Sequence, residues 1–227
     1  MMNVRYLFDI FAERYDEWYE KPFGKSAFKL EKASIKSLCK GLKPPLLEVG
    51  VGTGRFAQAL GIEYGVDISS GALKFAKKRE VTVVKGAGEE LPFKDKVFGG
   101  VFLIVTLCFV DAPLKVLKES ARVLRDDGSI ILGLILKESP WARFYEKKAR
   151  MGNIFYRNAN FYSFKTIKEM LREAELEIEK VSSTIFQPPT EKPLKFQPPR
   201  NGYYEKAGFT ALKVKKAFRH SSYRQAC

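Results

Sequence analysis

The sequence predicts an α/β fold built on a mostly parallel, doubly wound sheet. Short, continuously apolar runs, such as residues 101–110 and 130–136, are bounded by glycine, aspartate or lysine, as strands buried on both faces are. Amphipathic helical segments alternate with them. One of these strands runs straight into a glycine triplet, Gly50-Val51-Gly52-Thr53-Gly54.

The elements follow in order. Residues 3–20 carry Tyr6, Leu7, Phe8, Ile10, Phe11, Tyr15, Trp18 and Tyr19 at mostly helical spacing, until Pro22 and Gly24 break the pattern. Residues 26–42 read as a second helix, ended by Gly41 and the Pro44-Pro45 pair. Strands are expected at 46–49, 62–66, 81–84, 97–105 and 129–136. Between them fall a brief helix at 55–60, one at 69–79 with Ser69 as N-cap, and one at 112–124 with Pro113 in its first turn. Asp126-Asp127-Gly128 reads as a turn. A polar, aromatic segment follows at 140–164, then a helix near 165–174 and a period-2 stretch around 176–185. Pro188, Pro189, Pro193, Pro198 and Pro199 mark a loop, 209–214 a last strand, and 220–227 a tail.

Composition bounds the function. With 227 residues, 45% hydrophobic and 13% aromatic, the chain can bury a proper core. No run approaches the roughly 18 apolar residues that cross a bilayer, so no membrane partner is expected. The first residues do not read as a signal peptide. Cys39, Cys108 and Cys227 are sparse, odd in number and without metal-type spacing, which points to a reducing, cytoplasmic setting. The net charge of +14 favours anionic partners, although lysine enrichment of the thermophile kind produces a similar balance. His220 is the only histidine and falls in the tail, so neither a histidine base nor a Ser-His-Asp triad is supported, and no metal site is recognisable.

The glycine triplet carries the chemistry. Glycine is required where the backbone must turn tightly and approach a ligand without a Cβ in the way. The turn lies at the carboxyl end of a strand, where open α/β sheets bind ligands. Dinucleotide sites use G-x-G-x-x-G, whereas the spacing here is G-x-G-x-G with Glu48 just upstream. A carboxylate there repels a diphosphate but suits a ligand carrying an ammonium and a sulfonium.

Glu48-x-Gly50-x-Gly52-x-Gly54 resembles the first motif of class I S-adenosylmethionine-dependent methyltransferases, in particular the small domain of the ubiquinone/menaquinone-biosynthesis type. Downstream, Gly65-Val66-Asp67-Ile68-Ser69 is similar to the second-strand motif, and Gly86-Ala87-Gly88-Glu89-Glu90-Leu91-Pro92-Phe93 to the loop bordering the adenine. Residues 97–111 resemble the fourth-strand motif, residues 123–128 the following turn, and Tyr15-Asp16-x-Trp18 the N-terminal segment that closes over the cofactor. The match covers residues 15–19 and about 46–135. It implies a Rossmann-like, seven-stranded sheet with an antiparallel last strand and an N-terminal helical cap. One domain then spans residues 1–219, with the cap at 1–43, the cofactor-binding core at 44–136, and an acceptor-side insertion with the last strands at 137–219.

The resemblance also implies the site. Tyr15, Glu48, Gly50, Val51, Gly52, Gly54, Asp67, Ile68, Ala87, Gly88, Glu89 and Thr106 are the expected contacts of S-adenosylmethionine. Asp67 would bind the ribose hydroxyls; its alternative is a cap for the following helix. Glu48 would orient the methionine part, or bond amides of the glycine loop. Thr106 would floor the methyl group. Three departures stand out. Gly54 and Asp67 are only thirteen residues apart, so the helix between them is brief. Ala87 and Gly99 stand where acidic residues are common in the family.

No catalytic base is identified; Cys108 reads as a small buried hydrophobe and Glu89 as at most a cofactor contact. Tyr156, Phe161, Tyr162 and Phe164 form an aromatic cluster where acceptors bind in this family. The expected acceptor is a small molecule, with RNA as the alternative because of the charge. Lys25, Lys29, Lys32, Lys36, Lys40 and Lys43 fall on one face of the second helix as either a solvated face or a phosphate-facing stripe. A non-catalytic module that binds the cofactor is the remaining reading.

Overall fold

In the computed structural model, which describes residues 4–217, the glycine-terminated strand lies third from one edge of an eight-stranded sheet. Chain order is α1 (Val4–Trp18), α2 (Pro22–Leu38), β1 (Leu46–Val49), α3 (Arg55–Leu60), β2 (Tyr64–Asp67), α4 (Ser70–Lys78), β3 (Thr82–Lys85) and β4 (Phe98–Ile104). It continues with α5 (Pro113–Val123), β5 (Leu124–Leu134), α6 (Pro140–Arg150), α7 (Phe164–Glu173), β6 (Leu176–Thr184), β7 (Arg200–Asn201) and β8 (Phe209–Lys216). Across the sheet the order is β3-β2-β1-β4-β5-β8-β6-β7.

The first five strands pair in parallel, and the last strand, β8, runs antiparallel between β5 and β6. The mostly parallel α/β class with an antiparallel final strand is therefore as expected. The count differs by one: β7 is a two-residue strand that pairs Arg200 and Asn201 with Ser183 and Ser182 at the sheet edge. So short a segment, following five prolines, has no periodicity to announce it.

Strand β4 is buried at all seven positions, and both faces of the sheet are covered. One core gathers Leu30, Ile35, Phe56, Ala76, Phe102, Ile131 and Trp141 beneath α2, α3, α4 and α6. The other gathers Leu47, Val101, Leu103, Leu117, Val123, Ile167 and Leu171 beneath α5 and α7.

Several boundaries move for physical reasons. Pro22 opens α2 rather than ending a pattern, because a first helical turn needs no N–H there. The helix stops at Leu38, where the Cys39 amide closes onto Lys36 O, leaving Lys40 and Lys43 beyond it. The segment at 140–164 begins with α6, whose N-cap Ser139 accepts a hydrogen bond from the Trp141 amide ahead of Pro140. Residues Asp126 to Gly128 are not a free turn but part of β5. The ladder with β4 jumps from Phe98↔Leu124 to Gly100↔Ser129, so the two aspartates bulge outward. Ser69 caps α4 as expected, accepting from the Ala72 amide. The tail, with His220 and Cys227, lies outside the described residues.

Helix α1 is fastened to the core by charge. Asp16 accepts from Arg55 Nε at 2.8 Å and Nη2 at 2.6 Å, and from Arg79 Nη2 at 2.8 Å; Arg79 Nη1 donates to Thr53 O at 2.8 Å. The side chains of Asp16, Arg55 and Arg79 are 12–18% exposed. Burial alone would raise the Asp16 carboxyl, but the hydrogen bonds from both arginines outweigh it and hold it below the usual carboxylate range. Because that carboxyl is depressed in the folded state, its contribution is present above about pH 4 and lost as pH falls below it. Asp16→Asn is expected to destabilise the protein by roughly 1–3 kcal/mol, less than a sealed ion pair would. Thermal denaturation at pH 7 should show a melting temperature several degrees lower. The deficit against wild type should shrink towards pH 3.

Candidate active site

The carboxyl ends of β1 to β4 converge on one cavity of about 570 Å³, within the range of small-ligand sites. Val49 and Gly50 come from β1 and its turn, Asp67 and Ile68 from β2, Lys85 and the 86–89 loop from β3, and Val105, Thr106, Phe109 and Asp111 from β4 and beyond. Phe8 and Tyr15 of α1 complete the wall.

The wall depends on the turn after β1. Gly50 has φ +72°, and a Cβ there would lie 2.5 Å from Thr106 Cγ2 and 2.7 Å from its Oγ1. The Gly50 and Val51 amides both donate to Val66 O, and the Gly52 amide donates to Asp67 Oδ2 at 2.8 Å. Asp67 Oδ1 accepts from the Ser69 amide at 2.8 Å. Burial raises the Asp67 carboxyl, opposed by those two amides. Thr106 Oγ1 donates to Val49 O at 3.0 Å and Ile104 O at 3.2 Å. Val105, beside it, adopts φ +53°, a strained conformation for a β-branched residue and of the kind that collects at working sites.

Of the residues expected at the cofactor, Tyr15, Gly50, Asp67, Ile68, Ala87, Gly88, Glu89 and Thr106 line this cavity, whereas Glu48, Val51, Gly52 and Gly54 do not. Glu48 is 2% exposed, and its Oε2 is buried with no hydrogen-bond partner among the described residues. Burial pushes its carboxyl well above the usual range, against a hydrogen bond donated by the Ala57 backbone amide and with the Asp67 charge adding to the rise. Val51 packs on Gly65, and Gly54 (φ +81°) packs on Ala76 ahead of α3.

The sequence reading did not single out Phe8, Lys85, Val105, Phe109 or Asp111. Phe8 belonged to the aromatic helix already noticed, and its ring meets Tyr15 and Phe109 edge-on. Nothing in a valine announces a positive φ. The departure at Gly99 has a steric cause, since a Cβ there would lie 2.0 Å from Lys43 O.

Other expected candidates separate. Tyr156 and Phe161 pack in the same core as Tyr145, but Tyr162 and Phe164 pack in the opposite one, so the four aromatics are not one cluster. Burial drives the Cys108 thiol up to about 12, which leaves it inert as a nucleophile. Among the described residues, no group of three His, Cys, Asp or Glu side chains is gathered that could hold a metal ion, and no helix is long and apolar enough to cross a membrane.

Residues 47–132 match the family model described as a methyltransferase domain. A crystal structure from Thermotoga maritima, described as a SAM-dependent methyltransferase, possible histamine N-methyltransferase, superposes with a TM-score of 0.85. It is 36% identical, over 94% of this chain and 100% of that one. This chain belongs to the class I S-adenosylmethionine-dependent methyltransferases. The methyltransferase is also 39% identical to an uncharacterised protein of Methanocaldococcus jannaschii, over 95% of this chain and all of that one. To an uncharacterised protein of Mycobacterium tuberculosis it is 36% identical, over 88% of its own length and 70% of the relative.

Its cofactor is S-adenosylmethionine, and the residues present fit that ligand. An unpaired, buried carboxylate oxygen is costly unless a donor or cation meets it, and the methionine part of the cofactor brings an ammonium. The methyltransferase with Gly50→Ala is expected to fold but to bind S-adenosylhomocysteine at least tenfold more weakly, as checked by calorimetry. The new methyl must displace Thr106 or move the turn, and either shift opens the cavity wall.

Proposed function

We propose that this methyltransferase acts on a small-molecule acceptor. The observation that carries the reading is the shape of the cavity. It is capped by the rings of Phe8, Tyr15 and Phe109 and sized for a small ligand, which suits an acceptor that enters whole.

In this reading the Gly50–Gly54 turn and Glu48 hold the methionine part of the cofactor, Asp67 the ribose, and Ala87, Gly88 and Glu89 the adenine. Thr106 forms the floor and Tyr15 the cover. The carboxylate of Asp67 is already aligned by two amides, so a ribose hydroxyl can donate to it without side-chain reorganisation. The reactive sulfonium belongs to the cofactor, and the protein's part is to hold acceptor and methyl group in line and to exclude water. The ring-lined wall serves the second task.

An RNA acceptor draws less support than the net charge of +14 suggests. Lys25 pairs with Glu20 and Lys43 with Asp127, while Lys29 and Lys32 lie over the rings of Phe196 and Phe28. With α2 ending at Leu38, the six lysines do not form one helical stripe.

Two measurements test the reading. Calorimetry should give micromolar binding of S-adenosylmethionine and S-adenosylhomocysteine but not NAD, with both lost in Asp67→Ala. Labelled methyl donor should then mark the low-molecular-weight fraction of a cell extract and leave total RNA unmarked. Robust incorporation into RNA would overturn the small-molecule assignment.

A further inference from the structure

One arginine outside the cavity holds two parts of its frame at once. Arg79 belongs to none of the sequence motifs and does not line the cavity. It ends α4, and the backbone there closes in a Schellman motif. The Glu80 amide donates to Lys77 O at 3.1 Å and the Val81 amide to Ala76 O at 3.2 Å, with Glu80 at φ +64°. The base of the Arg79 side chain is thereby fixed, and the side chain is 18% exposed.

From that base the guanidinium forks. Its Nη1 donates to Thr53 O at 2.8 Å, and its Nη2 donates to Asp16 Oδ2 at 2.8 Å. Thr53 is buried and stands between Gly52 (φ +53°) and Gly54 (φ +81°), the second half of the glycine turn. Asp16 directly follows Tyr15, the residue of α1 that lines the cavity. One planar group therefore joins the glycine turn to the roof helix. The last turns of α4 meet the glycine turn a second time, since a Cβ on Gly54 would lie 2.8 Å from Ala76 Cα.

The turn needs such a support. Glycine loses more backbone freedom on ordering than any other residue, and here two glycines flank the residue that Arg79 holds. A turn left loose would have to be ordered by the ligand, and affinity would fall by that cost. Only a guanidinium suits the position, because its donors diverge in one rigid plane, whereas a lysine ammonium is a point charge on a flexible stem.

We propose that Arg79 is a positioning residue for cofactor binding: its fork holds the glycine turn against the roof helix, so that the turn stands ready for the methionine part of S-adenosylmethionine. This rests on the assignment above of the Gly50–Gly54 turn to the methionine part and Tyr15 to the cover, and it adds the residue that keeps the two in register.

The test compares two ligands by calorimetry, S-adenosylhomocysteine and 5′-methylthioadenosine, which carries the same nucleoside without the amino-acid part. In Arg79→Lys and in Arg79→Gln, S-adenosylhomocysteine should bind about tenfold or more weakly than in the wild type. Methylthioadenosine should stay within about threefold, because Asp67 keeps its bond from the Ser69 amide. Glu20→Gln removes another contact of the same charge cluster, the one from Arg55, and leaves the fork intact; both ligands should then bind as in the wild type. A purely structural role for Arg79 would weaken both ligands alike or neither. Unchanged binding of S-adenosylhomocysteine in Arg79→Lys, an equal loss for both ligands, or the same selective loss in Glu20→Gln overturns the proposal. If Gly50→Ala is impaired while Arg79→Lys is not, this proposal alone is removed. If Gly50→Ala binds S-adenosylhomocysteine as the wild type does, the assignment of the turn falls and this proposal with it.

Discussion

The way the backbone leaves β1 governs the rest of the cofactor end of the sheet. At Gly50 the chain turns with a positive φ, while Thr106 of the neighbouring β4 segment fills the space a side chain would need. That contact sets how closely the ends of β1 and β4 approach. The amides of Gly50 and Val51 then close onto Val66 O of β2, and Gly52 onto the Asp67 carboxylate. Three strand ends are thereby tied together over a few residues. A Cβ at position 50 would push β1 and β4 apart where a ligand must touch both, so the cavity follows from this one missing side chain as much as from the residues that line it.

The roof is a separate construction held by opposite chemistry. Asp9 and Asp16, seven residues apart and thus about two helical turns, lie on the same side of α1. Asp9 accepts from Ser69 Oγ and the Gly71 amide at the start of α4, while Asp16 binds Arg79 at its end. The two helices therefore run side by side in the same direction. Gly71 is required at the crossing, since a Cβ there would lie 2.3 Å from Asp9 O. With its polar side committed to α4, the helix presents Phe8 and Tyr15 to the cavity. Part of the charge that looked available for an external anionic partner is internal fastening, as Arg55 and Arg79 illustrate.

Legibility in the sequence tracked how local the cause was. Strand β1 and helix α3 were readable to the residue, the first because its apolar run ends in glycine, the second because only thirteen residues separate Gly54 from Asp67. The Ser69 cap was readable for the same reason. The start of α2 was misplaced because proline signals both a break and a helix start. Helix α6 was passed over although Ser139-Pro140 is a good opening, since the charged and aromatic residues after it read only as a polar, aromatic segment. Strand β7 and the bulge at Asp126 and Asp127 depend on partners far along the chain and leave no local pattern. At the site, the strand-end residues were legible from motif order. Phe8 was not, because its place follows from how α1 docks on the sheet, and Phe109, in the loop after β4, meets the cavity only through that docking.

Glu48 and Glu31 are both buried carboxylates, but they belong to different parts of the fold. Both are carboxylates in low-polarity surroundings, and both are raised by burial. A fold selected for stability alone would gain from replacing either with an apolar residue, since an unpaired buried carboxylate opposes folding once ionised. Their placement differs in a way that stability does not explain. Glu48 lies beneath the glycine turn, on the sheet, where position is fixed by β1 and its neighbours on both sides. Glu31 lies on α2, a helix packed over the sheet and outside the strand framework. A common cofactor calls for the rigid position, while a chain-specific acceptor calls for one built from elements that can vary without disturbing the sheet. Glu48, held by β1 and its neighbours, stands on the rigid side of that division.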